Sequence, residues 1–250
     1  MSIKGKINWG ITGIALAALK KSLRYRLKED AALFLQQVST PAPGIYNRID
    51  YILEQCRNKK VLHVGFSDYP FTKEKLANKS LLHLLLMPNA GSLLGLDSEK
   101  KAIDVYTAVT GDDKVLYGDI TVTYPEAAIQ FEPQVILLTE VLEHLKDPHG
   151  AIEILYNSFN HGTKILVTVP NYNALDTIGA STNKTESVHP HHYWYFSPYT
   201  LTKLFDEKKF MPEQLHFGMY YQPGKKINAV MRNFLYNGDC IMAIFSINKA

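Results

Sequence analysis

The sequence predicts an α/β chain: a doubly wound, mixed sheet of seven strands that ends in an antiparallel hairpin and is preceded by a helical amino-terminal arm. Three observations predict it. From residue 61 onward, short apolar runs alternate with longer amphipathic segments, the pattern of βα units stacked into a parallel sheet. The last two apolar runs have no helical segment between them, so they pair as a hairpin on the sheet edge. The 250 residues are 46% apolar and 20% charged, enough to bury a core and incompatible with disorder, collagen or a coiled coil.

Residues 1–57 read as the arm and residues 58–250 as the α/β domain. The first 60 residues carry 11 basic and 4 acidic side chains, whereas the remainder is net −4. A mostly apolar run at 7–19 lies between Lys4 and Lys6 on one side and Lys20, Lys21, Arg24, Arg26 and Lys28 on the other. A bilayer-spanning helix needs about 20 residues, so this run is too short to cross. It fits a short signal peptide, a basic amphipathic helix on an anionic membrane, or a helix used in packing or self-association. The positive charge directly behind the run argues against export. Two cysteines, Cys56 and Cys240, make no disulfide framework, as in a reducing compartment. These features fit a cytoplasmic protein, peripheral at the inner face of a membrane if the arm binds lipid.

Strands are expected at Val61–Gly65, Ser92–Asp97, Val115–Tyr117, Gln134–Thr139 and Lys164–Val169, with the hairpin at Glu213–Tyr221 and Cys240–Ile247. Helices fall at about Lys79–Met87, Ser98–Val109, Val141–Phe159 and Pro198–Lys209. Pro88-Asn89 stops the first, and Gly162 suits a left-handed cap after the third.

Ligands of open α/β sheets bind beyond the carboxyl ends of the strands, so the strand exits are the candidate site. At the first exit, Gly65 lets the backbone approach a ligand or simply permits a turn. At the second, Asp97 can accept two hydrogen bonds from a ribose diol or cap the next helix. At the third, Asp119 can meet an adenine amino group or form an Asp turn. The fourth exit reads Thr139-Glu140-Val141-Leu142-Glu143-His144-Leu145-Lys146-Asp147-Pro148, and the fifth Val167-Thr168-Val169-Pro170-Asn171.

These exits together resemble the class I S-adenosylmethionine-dependent methyltransferases over about residues 58–247. Gln134 to Pro148 looks like that family's fourth strand and following helix, with its Glu-Val-Leu-Glu-His-Leu-x-x-Pro run. His161 to Asn171 is similar to its fifth strand. Trp194-Tyr195-Phe196-Ser197-Pro198 through Phe210 resembles the segment before and along the last helix in members of ubiquinone-biosynthesis and surface-glycan O-methyltransferase type. The resemblance implies a Rossmann-like sheet with S-adenosylmethionine bound by Gly65, Ser67, Asp97, Asp119, Ile120 and Glu140. It also implies methyl transfer to a hydroxyl, less readily a nitrogen, of a small molecule or glycan precursor. The departure is at the first strand. His63, Gly65, Ser67 and Tyr69 fall where the family has acidic-x-Gly-x-Gly-x-Gly, which leaves open a non-catalytic scaffold that keeps only the fold.

A hydroxyl acceptor needs a base. Glu140, Glu143 and His144 lie at i, i+3 and i+4 of the expected helix, with His144 as the candidate base or with Glu143 and His144 only bracing the helix start. Glu-x-x-Glu-His with the later His189-Pro190-His191-His192 resembles the divalent-metal site of small-RNA 3′-terminal 2′-O-methyltransferases. On that resemblance Glu140, Glu143, His144 and His192 would hold Mg²⁺, Mn²⁺ or Co²⁺, with Glu143, His144 and His192 as the catalytic set. No basic stripe accompanies the catalytic half, which argues against nucleic acid as substrate.

Overall fold

In the computed structural model, residues 44–220 and 235–249 are described. The expected arm helix and its membrane contact lie outside them. In chain order the elements are β1 (Ile45–Asn47), α1 (Arg48–Cys56), β2 (Lys60–Val64), α2 (Thr72–Ala77), α3 (Leu82–Leu86), β3 (Ser92–Asp97), α4 (Lys100–Thr110) and β4 (Val115–Tyr117). There follow α5 (Glu126–Gln130), β5 (Val135–Thr139), a 3-10 turn (Leu142–His144), α6 (Pro148–Ser158), β6 (Lys164–Pro170), α7 (Leu175–Thr182), α8 (Pro198–Leu204), β7 (Phe210–Met219), a second 3-10 turn (Leu235–Asn237) and β8 (Cys240–Ile247). None of the described helices is long and apolar enough to cross a membrane.

The sheet has eight strands in the order β1-β7-β8-β6-β5-β2-β3-β4, one more than the sequence suggests. All neighbours are parallel except β6–β8 and β7–β8. The extra strand, β1, pairs with β7 and so places the hairpin inside the sheet rather than at its edge. Strands β5 and β8 are buried along their whole length, as layers of helix on both faces require. On one face α1 lays Tyr51, Ile52 and Cys56, and α3 lays Leu82 and Leu86, over Val135, Leu137, Leu166 and Met242. On the other, Phe205 stacks on Phe245 at 3.9 Å. Burying side chains such as Ile52 and Leu86 contributes about 1.5–3 kcal/mol each. Because β1 and α1 belong to this core, the expected boundary between residues 57 and 58 is displaced: the α/β domain includes Ile45–Cys56.

Two helices differ from expectation. The expected Lys79–Met87 helix shrinks to α3, because Lys79 turns left-handed (φ 57) and Leu81 is extended, and a separate α2 precedes it. The expected Val141–Phe159 helix is broken, because Glu140 sits at φ 54 and Leu145 is extended. α6 begins only at Pro148, with the Asp147 carboxylate accepting from the Gly150 N–H at 2.9 Å. Proline is welcome at the first position of a helix and destructive within one. Glu140, Glu143 and His144 therefore do not share a helix face.

His63 of β2 and His83 of α3 form a buried pair, with Nδ1 atoms 3.2 Å apart and at most 1% exposure each. His63 Nε2 lies 3.4 Å from Thr139 Oγ1, and His83 Nε2 has no partner. One N–H must stand between the two Nδ1 atoms. If His83 donates it, the orphaned His83 Nε2 is a bare acceptor. The reverse arrangement strands a buried N–H, the costlier choice. Burial pushes His63 well below its ordinary 6.5, with His83 adding to this, and burial lowers His83 to about 4. Both bind protons more readily when unfolded, so their contribution is complete above pH 6.5 and is lost as pH falls toward 4. For His83 this amounts to about 3 kcal/mol. Urea titrations from pH 7.5 to 4.5 should show that decline, and the double variant His63→Leu/His83→Phe should flatten it; an equal slope in both proteins contradicts the account.

Candidate active site

Strand order reverses between β2 and β5: the chain moves from β2 through β3 to β4 on one side and returns to β5 and β6 on the other. In open α/β sheets the loops at such a reversal, here those leaving β2 and β5, flank the ligand crevice. Gly65 adopts φ +70, donates its N–H to Leu96 O at 2.8 Å, and a Cβ on it would lie 2.8 Å from Val141 Cγ2. Its left-handed backbone and the close approach of the β5 exit both require glycine.

Ser67 is fully buried; its N–H donates to Asp97 Oδ2 at 3.0 Å, and its Oγ has no partner. Asp97, 8% exposed, also accepts the Glu99 N–H on Oδ1 at 2.9 Å. It is not the cap of α4. Glu99 is, with its own carboxylate accepting from the Lys101 N–H. Each Asp97 oxygen keeps a lone pair, and with the orphaned Ser67 hydroxyl this forms a polar cradle suited to a ribose diol. Asp119 forms the Asp turn, its Oδ1 accepting the Thr121 N–H at 2.9 Å and the Thr121 hydroxyl at 2.7 Å. It is exposed, while Ile120 beside it is buried. Glycines are missing where Ser67 and Tyr69 stand, yet the backbone at Ser67 still closes onto Asp97.

At the β5 exit, Glu140 Oε1 accepts from Thr168 Oγ1 at 2.8 Å and Oε2 from the Tyr220 hydroxyl at 2.5 Å. Glu143 is fully buried with neither carboxylate oxygen partnered. Burial, and then the Glu140 charge, hold its pKa well above the usual carboxylate range. Ring centroids of His144 and His192 are 4.6 Å apart, and those of His144 and His189 are 5.6 Å apart. One ligand nitrogen from each of His144, His189 and His192 lies within 4.8 Å of the others. Burial and then His189 lower the His144 pKa, and burial and then His144 lower His192 to about 4. The His144 and His192 imidazoles are therefore neutral at pH 7, the state in which they bind a metal or accept a proton.

The four-residue set expected from sequence is thus corrected. His144 and His192 come together with His189, whereas Glu140 and Glu143 stand outside that cluster among the described residues. An all-imidazole donor set fits Mn²⁺, Co²⁺ or Zn²⁺ better than Mg²⁺, which prefers oxygen. Arg48 and Tyr220, which reach Glu140, were not apparent in the sequence, since no local pattern shows where they land. A cavity of about 670 Å³ lined by Lys59, Gln134, His161 and Lys164 lies at the opposite ends of the strands, and no candidate residue reaches it.

The fold and the strand exits define an α/β protein with a polar cradle, built by Asp97 and Ser67, at the carboxyl end of its central strands. Residues 75–214, over half of the chain, match the family model described as a methyltransferase domain, and the chain belongs to that family. It is an S-adenosylmethionine-dependent methyltransferase with a Rossmann-like sheet. The fold is shared with small RNA methyltransferase HEN1 at 16% identity over 81% of this chain and 25% of that one, with a TM-score of 0.56. The chain therefore spans about a quarter of that relative's length. A SAM-dependent methyltransferase from Thermotoga maritima shares 13% identity over 80% of this chain and 87% of its own, with a TM-score of 0.51. No curated protein matches in sequence. The reading of a scaffold that has lost catalysis gains no support from the site.

Asp97→Ala should weaken S-adenosylmethionine binding at least tenfold in calorimetry, since hydrogen bonds to a charged group are worth about 1.5–3 kcal/mol. Unchanged affinity in a folded variant would make Asp97 a loop tie alone.

Proposed function

We propose that this methyltransferase acts on a hydroxyl of a small molecule or glycan precursor, with the His144, His189 and His192 cluster activating the acceptor. The observation that supports the reading is the convergence of three imidazoles beside the β5 exit. Gly65, Ser67, Asp97, Asp119, Ile120 and Glu140 are the proposed contacts for the cofactor. Bound S-adenosylmethionine supplies an electrophilic methyl on a sulfonium, and in-line transfer to an oxygen needs chiefly alignment plus removal of the hydroxyl proton. Asp97 and Ser67 orient the nucleoside end, while the Glu140 carboxylate holds a fixed negative charge at the crevice mouth.

Two uses of the cluster follow from its nitrogen donors. Held by His144, His189 and His192, a divalent cation would lower the hydroxyl pKa by Lewis acidity. Without one, the depressed pKa of His144 leaves it free to take the proton directly. With the cation, Mn²⁺ should bind the full chain with micromolar affinity or better by calorimetry, His189→Ala and His192→Ala should each abolish that binding, and chelation should stop methyl transfer. With His144 as base, chelators do nothing and His144→Ala alone lowers turnover about 10²–10⁴-fold. Activity that survives both chelation and His144→Ala removes both uses.

The basic arm supports a place for the enzyme at an anionic membrane surface. Liposomes containing anionic lipid should retain the full chain and release one lacking residues 1–30, with binding that fades as salt rises. Equal recovery of both in the soluble fraction would return the arm to packing or self-association.

A further inference from the structure

Three donors converge on the Glu140 carboxylate, and two of them come from outside the residues that match the family model. The hydroxyls of Thr168 and Tyr220 donate at 2.8 and 2.5 Å. Arg48, the first residue of α1, brings Nη1 to 3.7 Å from Glu140 Oε1 and donates to Thr168 Oγ1 at 3.5 Å. Its guanidinium carbon stands 5.1 Å from the centre of the Tyr220 ring, a cation–π arrangement. The Arg48 Nε is buried without a partner. A guanidinium kept from water with an open donor is costly unless a charge compensates it, and Glu140 is the carboxylate paired with it.

Glu140 itself is held in an unfavourable backbone. Its φ of +54 is unfavourable for a side-chain-bearing residue, and such conformations persist where the surroundings over-determine them. The backbone of Glu140 is tied by its N–H to Thr168 O at 2.9 Å, and the next residue, Val141, abuts Gly65. The carboxylate is thus fixed at the point where the two crevice loops meet. The hydroxyl of Tyr220 stays a proton donor: though the residue as a whole is exposed, withdrawal of its hydroxyl from water and then the facing Glu140 carboxylate push its pKa well above the ordinary 10.0.

We infer that Arg48 is a positioning residue of this methyltransferase: together with Tyr220 it fixes the Glu140 carboxylate at the crevice mouth, so that the strand and helix at residues 45–56 complete the cofactor site. The inference rests on the assignment of the crevice to S-adenosylmethionine. Arg48 touches neither cofactor nor acceptor in this account; it acts through Glu140. Its effect must therefore vanish when Glu140 no longer carries a charge.

A double-mutant cycle on the full chain, read by calorimetry with S-adenosylmethionine, tests this. Arg48→Met should weaken binding at least tenfold in the parent and less than twofold in a Glu140→Gln background. Arg48→Lys should restore affinity to within about threefold of the parent, because the charge is retained while the fork geometry is lost. A merely structural role would weaken binding equally in both backgrounds. Should Arg48→Met fail to fold, Tyr220→Phe carries the same test, with a loss of threefold or more in the parent and none with Glu140→Gln. Parent-like affinity for the folded Arg48→Met chain, or equal losses in both backgrounds, overturns the inference alone. A parent chain that does not bind S-adenosylmethionine removes the crevice assignment along with it.

Discussion

Asp97 is the tie on which the site depends. Its two carboxylate oxygens accept N–H groups from Ser67, in the loop leaving β2, and from Glu99, at the head of α4. In the loop after β2, Ser67 is held by a single charge-assisted bond from its N–H to the Asp97 carboxylate at 3.0 Å. The proposed ribose cradle is thus made by the same carboxylate that shapes the loop. This couples loop geometry to ligand affinity: anything that frees Ser67 also spoils Asp97.

The second half of the site obeys a different constraint. Where β5 ends, the chain turns through a left-handed Glu140, a short 3-10 turn and the Asp147-Pro148 helix start. That irregular stretch places Glu143 inside, unpartnered, and turns His144 outward to meet His189 and His192. A continuous helix would have spread these residues along one face. The break separates them into the Glu140 carboxylate, held by Arg48 and Tyr220, a buried unpartnered Glu143, and an imidazole cluster. In the proposed mechanism, proton chemistry and cofactor orientation fall to different groups.

Much of the sheet was legible because its strands are buried on both faces and read as continuous apolar runs; β2, β3, β5, β6 and β8 fall where the sequence places them. Strand β1 was not legible. Three residues after a Pro-Gly pair carry no period, and only pairing with β7 makes them a strand. The broken helix was partly legible: Asp147 followed by Pro148 is a start signal, but the apolar spacing of Val141, Leu142 and Leu145 runs on through it. Asp97 stands at the β3 exit, where its position was legible, while the alternative role of helix cap belongs to Glu99. Arg48 and Tyr220 were invisible for a physical reason, since their meeting depends on a contact between residues 172 positions apart.

The account stands or falls on where the nucleoside binds. A crystal structure of the full chain with S-adenosylhomocysteine tests this directly. The account predicts both ribose hydroxyls on the Asp97 carboxylate, with the Ser67 hydroxyl engaged and the sulfur on the side of Glu140. A nucleoside bound elsewhere, such as in the cavity at the opposite ends of the strands, with Asp97 still holding only Ser67 and Glu99, would contradict it.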